Sequence, residues 1–335
     1  RDMHVRASMS SDLTTWTATW RVALPQRGAV WAPVLFRTPS EILLFYTESS
    51  TCIRDRPKLM DQAFAPGGDI KLVRSTDGLS WSPPKVVLSQ LSEGNVPKVI
   101  ANRPVALDDG HILLPFWRED PAPISYKCLL AASCQECKPA KDAPIDVSGT
   151  LLSKDGGLTW FTGGDIKHPK GVTLLEGTAT QLASSGHVLQ VFRSNAGSIF
   201  SSLSRDRGRS WSIAKPMEAL PNPGSKIAMI TLAPGLLALA YNHHGKLVDG
   251  QKVSTRTRLR IALSADDGES WELVAKLEER IVPLTKFHYP TLIIPKKSHT
   301  DGGCTIGVMY TIGMKEQASE GGVRSIVLNM DALWT

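Results

Sequence analysis

The chain has 335 residues, 42% of them apolar, enough to bury a substantial core, and no apolar run approaches the about 18 residues of a membrane-spanning helix. Its 27 Gly and 22 Pro are dispersed as in a turn-rich fold, which sets low-complexity sequence aside. The net charge of +6 fits any soluble basic protein; with no basic block present, it suits a carboxylate- or sulfate-bearing sugar better than nucleic acid.

The opening Arg1–Val5 lacks the character of a secretory leader. Then comes Ser10-Ser11-Asp12 leading to Trp16, and the same phrase returns four times: Ser75–Trp81, Ser153–Trp160, Ser204–Trp211 and Ser264–Trp271. A serine, an aspartate two residues on, usually a glycine, and a Ser/Thr-Trp pair spell a hairpin turn. Asp accepts backbone N–H groups, Gly supplies a positive φ, and Trp packs the turn down. Five of the nine Trp serve this purpose, which makes these boxes structural and not the site of chemistry.

Between the boxes lie short apolar runs: Val34–Phe36, Ile42–Tyr46, Ile112–Phe116, Val188–Phe192 and Leu236–Tyr241. Bounded by turn residues and without a 3.6-residue period, they predict strands buried on both faces and an all-β chain. The box aspartates recur at intervals of 51 to 78 residues, and each interval reads as four strands, the grammar of a propeller blade. A last unit from His288 onward has no box and makes six. We expect a single β-propeller domain over 1–335, four antiparallel strands per blade. Its first blade lacks its inner strands, which the C-terminal strands supply or an upstream segment once did; the latter is favoured.

The longest interval holds a Cys-rich insertion, roughly 120–147, with Cys128, Cys134 and Cys137; Cys52 and Cys304 stand apart. Three thiols suggest zinc, yet no fourth ligand is evident, so a local disulfide or reduced thiols is the preferred reading. No metal or cofactor is expected. A secreted or organelle-lumenal location is slightly favoured.

The spaced boxes, together with Trp31–Phe36, Asn102–Val105, Leu220–Pro223, Tyr241–His243 and His288–Pro290, resemble the BNR-repeat-like branch of the sialidase superfamily over nearly the whole chain. That resemblance implies a six-bladed β-propeller and an exo-glycosidase acting on a terminal acidic sugar, sialic acid or a related one, with retention through a tyrosine. Arginine forks suit a sugar carboxylate, glutamate serves as base, and an aspartic acid protonates the leaving group.

Carried over by motif, Glu176 in Glu176-Gly177-Thr178 is the base, Arg193 after the strand Val188–Phe192 an arginine of the cluster, and Tyr289 the nucleophile. In Arg256-Thr257-Arg258-Leu259-Arg260, residues 256, 258 and 260 share one face of a strand; Arg256 is the favoured ligand, Arg258 the reserve, and one of the three a solvated charge. Arg103, where this branch usually has Lys, and Glu119 flank the second unit's strands as further binding candidates. Asn222 and Asn242 orient hydroxyls or cap turns, and His243-His244 is expected to be neither metal ligand nor proton carrier. The family's first arginine and acid aspartate belong to blade-one strands that these residues do not include.

Two other readings stay open: a catalytically silent propeller used as a carbohydrate-binding or assembly module, and a polysaccharide lyase on uronates. The expected partner is an acidic glycan, with a protein assembly partner under the second reading and no nucleic acid or membrane span under any. All of this requires Glu176, Arg193, Arg256 and Tyr289 to meet.

Overall fold

The computed structural model describes residues 4–24, 26, 29–49, 52–54, 67–119, 126–128, 140–245, 247–248, 251–252, 256–279, 285–295, 305–314 and 322–330. As expected, the structure is all-β; among the described residues one 3-10 turn, Leu91–Glu93, is the only helix. None of the described helices is long and apolar enough to cross a membrane. The chain divides into two compact units, Arg1–Met9 with Thr17–Asp165, and Ser10–Trp16 with Ile166–Thr335.

In the first unit the strands are β1 (Val5–Ala7), β2 (Trp20–Ala23), β3 (Val30–Arg37), β4 (Ile42–Ser49), β5 (Cys52–Arg54), β6 (Gly68–Ser75), β7 (Lys85–Leu88), β8 (Lys98–Val99), β9 (Val105–Ala106), β10 (Ile112–Arg118), β11 (Tyr126–Cys128), β12 (Ser148–Ser153) and β13 (Phe161–Thr162). Nine of them join along β13-β12-β10-β8-β6-β4-β3, with β7 on β6 and β9 on β10. Separate four-stranded blades are therefore not resolved in this unit. The continuity comes from β6, which reaches β8 through the pairing of Gly68 with Lys98. Strand β5 pairs with β11, setting Cys52 across from Cys128; Cys134, Cys137 and Cys304 lie outside the described residues.

The second unit holds β14 (Leu174–Gln181), β15 (Val188–Ser194), β16 (Ser198–Ser204), β17 (Lys215–Pro221), β18 (Ala228–Ala233), β19 (Leu236–Asn242), β20 (Leu247–Val248), β21 (Gln251–Lys252), β22 (Leu259–Ser264), β23 (Glu272–Glu278), β24 (Thr285–Ile293), β25 (Thr305–Met314) and β26 (Gly322–Asn329). Here the four-strand unit is plain: β14-β15-β16-β17 and β18-β19-β22-β23 are antiparallel sheets, and β24-β25-β26 forms a third of three strands. The first box joins this sheet, the Ser325 hydroxyl donating to the Leu13 carbonyl.

Strand alternation explains the packing. Leu237, Leu239 and Tyr241 of β19 enter one core with Val191, Ile199 and Met229, while Ala238 and Ala240 enter another with Ile261, Leu292, Val308 and Tyr310. The middle sheet is buried on both faces, which is why Leu236–Tyr241 reads as a continuous apolar run. At about 25 cal/mol per Å2 of apolar surface, such two-sided layers dominate the stability of the unit.

Each box is a capped turn. Asp77 Oδ1 accepts from the N–H of Leu79 and Ser80, both at 2.8 Å, and Ser75 Oγ accepts from Gly78 N at 2.7 Å. Trp81, Trp160 and Trp271 donate their indole N–H to the carbonyls of Gly78, Gly157 and Gly268 at 3.2, 3.0 and 3.1 Å. These bonds hold the carboxyls of Asp77, Asp155 and Asp266 down at about 2, chiefly through donors on Ser80, Thr159 and Ser270 respectively. A carboxyl depressed on folding stabilises the fold above its unfolded value, about 4, and loses that contribution as the pH falls towards 2. The triple variant Asp77→Asn, Asp155→Asn, Asp266→Asn is therefore expected to show a lower urea midpoint than wild type at pH 7. The gap should close on acidification; a constant gap would remove the charge from the account.

Candidate functional site

Two residues stand out before any chemistry is considered. Glu176 and Tyr289 are non-glycine residues with φ of 54° and 55°. Each sits in the first strand of its sheet where the pairing slips: Leu175 to Thr178 on β14, and His288 to Thr291 on β24. A bulge of this kind re-aims a side chain, and a left-handed non-glycine residue costs about 1–3 kcal/mol, strain that clusters at functional positions. Gly177 permits the first bulge, since a Cβ there would stand 2.4 Å from Gln190 Nε2.

Each re-aimed side chain meets an arginine. Arg193 Nη1 is 3.0 Å from Glu176 Oε2, and the Tyr289 hydroxyl acts electrostatically on the same guanidinium. Burial acts against the Arg193 charge, but Glu176 and Tyr289 outweigh it and push its pKa up. Arg256 places its guanidinium carbon 5.4 Å from the centre of the Tyr289 ring. Its Nη1 donates to His288 Nδ1 at 3.1 Å, and its Nη2 to the Gly224 carbonyl at 3.4 Å. Tyr289 is 41% exposed, whereas Glu176 is 5% exposed. Two arginines, a buried carboxylate and an accessible phenol thus share one place on the second unit.

The other residues that the sequence singled out have other partners. Strand β22 begins only at Leu259, and Arg258 has a φ of 49°, so alternation fails and the three arginines part company. Arg258 accepts the His243 N–H with its carbonyl at 2.9 Å, and Arg260 grips Glu279 with Nε and Nη2 at 2.7 and 2.8 Å. Asn222 caps its own turn, Oδ1 accepting from the N–H of Gly224 and Ser225 at 2.9 and 2.8 Å. Asn242 donates from Nδ2 to the carbonyls of Thr257 and Phe287, both at 2.8 Å, clamping together the segments that carry Arg256 and Tyr289. Arg103 and Glu119 belong to the first unit. Arg103 is exposed, though surrounding protein still lowers its pKa, and Glu119 Oε2 accepts from Gly67 N at 2.8 Å.

His243 Nδ1 shares a hydrogen bond of 2.5 Å with the Tyr241 hydroxyl, and both His243 and His244 are pushed down by burial. No group of three potential metal ligands occurs among the described residues.

Two site residues escaped the sequence. Burial, then Arg256, pushes the His288 imidazole down to about 4, so at neutral pH its Nδ1 is free to accept from Arg256. Lys226 is buried, with Nζ on the Pro290 carbonyl at 2.7 Å. Pro290 inside an apolar strand was the available signal, because Pro within a sheet marks an edge or a bulge.

No curated protein matches the chain by sequence. Among solved structures it is similar to the NanB sialidase of Streptococcus pneumoniae, with 13% identity, a TM-score of 0.68, and 98% of this chain aligned to 64% of that one. It is also similar to the intramolecular trans-sialidase of Ruminococcus gnavus, with 12% identity, a TM-score of 0.64, and 99% of this chain aligned to 89% of that one. A protein of unknown function from Dyadobacter fermentans aligns equally well, with 17% identity, a TM-score of 0.65, and coverage of 97% and 84%. The chain thus spans less than two thirds of the length of NanB, and at these identities the likeness is one of fold. The BNR repeat-like domain family matches residues 1–301, and the chain belongs to that family.

Proposed function

We propose that the second unit carries the active site of a sialidase-like exo-glycoside hydrolase, which removes a terminal acidic sugar with retention through Tyr289. In this reading the sheets are blades of a six-bladed propeller. The observation that carries it is the Arg193 guanidinium paired at 3.0 Å with the Glu176 carboxylate, with the Tyr289 hydroxyl within its electrostatic reach. Arg193 and Arg256 grip the sugar carboxylate, which fork-shaped guanidiniums match in two-point contacts. Glu176 takes the phenol proton as the Tyr289 oxygen bonds to the anomeric carbon, and the glycosidic C–O bond breaks as its oxygen takes a proton from solvent water. Water then cleaves the tyrosyl–sugar bond: its hydroxyl goes to the anomeric carbon, its proton to solvent, and Glu176 returns the phenol proton to Tyr289.

The test is turnover of fluorogenic sialosides, keto-deoxy-sugar glycosides and uronides. Tyr289→Phe is expected to bring hydrolysis to background, and Glu176→Gln to lower kcat by about 10^2–10^4-fold. Turnover unchanged in Tyr289→Phe overturns the reading. A product with new ultraviolet absorption from an unsaturated uronate would replace hydrolysis by elimination.

A further inference from the structure

Lys226 is buried to 5% exposure, and its ammonium has a specific task in the backbone. Where β24 pairs with β25 the register passes from His288 to Thr291, skipping Tyr289 and Pro290. The Pro290 carbonyl therefore stands outside the ladder, and Lys226 Nζ supplies its donor at 2.7 Å. An unpaired buried carbonyl costs about 1–3 kcal/mol, so the lysine completes the bulge that aims Tyr289. The lysine is delivered by the turn that Asn222 caps, and the same turn offers the Gly224 carbonyl to Arg256. Its charge also acts on Glu176 across the site. One short segment, 222–226, thus bonds both Arg256 and the backbone next to Tyr289.

We propose that Lys226 is a positioning residue of this site, holding the Tyr289–Pro290 backbone with its ammonium and setting a positive charge against Glu176 beside that of Arg193. The proposal rests on the reading of Tyr289 and Glu176 as the reacting pair.

Of the charged groups, Glu176 from β14 acts on Lys226; the other charged and titratable groups of the cluster are Arg193 from β15, Arg256 ahead of β22, and His288 and Tyr289 from β24. Burial pushes the Lys226 ammonium down to about 8, and Glu176 supports its charge. His288, held at about 4, is neutral through this range. As the pH rises through 8, Lys226 loses its proton, the tie to Pro290 weakens, and the site loses one positive charge.

The experiment has two arms. In wild-type protein with isotope-labelled lysine side chains, and with Lys226 assigned by its disappearance in Lys226→Arg, the Lys226 signal is expected to titrate near 8. It should titrate lower in Glu176→Gln, which removes the supporting carboxylate. An ordinary lysine titration, or one unmoved by Glu176→Gln, overturns the proposal. The second arm is the pH profile of kcat. Lys226→Met is expected to lose about 10- to 100-fold in kcat with little change in KM, the cost of misplaced reacting groups. Lys226→Arg should restore most of kcat and move the alkaline limb upward; a limb that stays put counts against the proposal. The titration decides the placement of the lysine by itself. Coupling seen without turnover on any acidic glycoside would count against the glycosidase reading alone.

Discussion

Replacing Arg193 by Met is expected to destabilise the protein by about 3 kcal/mol and to remove binding of acidic sugars in the same step. The side chains of Arg193 and Glu176 are 20% and 7% exposed, so deleting the guanidinium leaves a carboxylate with little water to replace it. Breaking a buried pair from one side costs about 3–5 kcal/mol, most of it the penalty on the partner left behind. The lower figure applies because the Lys226 charge still acts on Glu176. Urea unfolding of Arg193→Met, Glu176→Gln and the double variant measures this directly. The double variant is expected to be more stable than Arg193→Met, since it neutralises the stranded charge. If the two losses simply add, the pair is not energetically coupled, and the Arg193 guanidinium cannot organise the site.

The second large effect lies in the first unit. A Cβ on Gly68 would stand 1.9 Å from the Glu48 carbonyl oxygen and 2.7 Å from Ser49 Cα. Both are main-chain atoms of the paired strand β4, so no side-chain rotation relieves the clash. Gly68 also pairs with Lys98, which makes it the point where β6 passes between β4 and β8. Gly68→Ala is expected to cost about 3 kcal/mol or more, at the upper end of overpacking penalties. It should also loosen the buried Lys71–Glu48 ion pair beside it. Gly322→Ala, where nothing lies within 4 Å of the added carbon, is the control and should stay within about 0.5 kcal/mol of wild type. Equal thermal midpoints for the two variants would refute the close approach of the strands.

The turns were legible because their bonds are local. Ser264 to Asp266, and Asp266 to Ser270, close within four residues, so the letters alone specify the geometry. The buried strands were legible for a related reason, since a run such as Leu236–Tyr241 has no polar face to offer water. What the letters could not carry is pairing at a distance. Nothing near Gly68 announces that it meets Lys98, and that single pairing merges strands expected to lie in separate blades.

At the site, motif likeness picked Glu176, Arg193, Arg256 and Tyr289, and these four do meet. It missed Lys226 because its partner Pro290 is 64 residues away, and it missed His288 because its partner Arg256 is 32 residues away. The shared face assigned to Arg256, Arg258 and Arg260 failed on one torsion: alternation assumes extended backbone, and Arg258 is left-handed. Asn222 and Asn242 both bond to main chain, so the turn-capping alternative describes Asn222, while Asn242 ties two segments that no local pattern connects.

The bulge at Glu176 and Tyr289 has a third instance. Ala32 has a φ of 54°, and the pairing of β3 with β4 slips between Trp31 and Val34 around it. There the same backbone socket presents a methyl group in place of a carboxylate or a phenol. Because the socket already bears the conformational strain, exchanging its occupant makes little further demand on folding. A change of letter at such a position exchanges the group presented while leaving the backbone as it is.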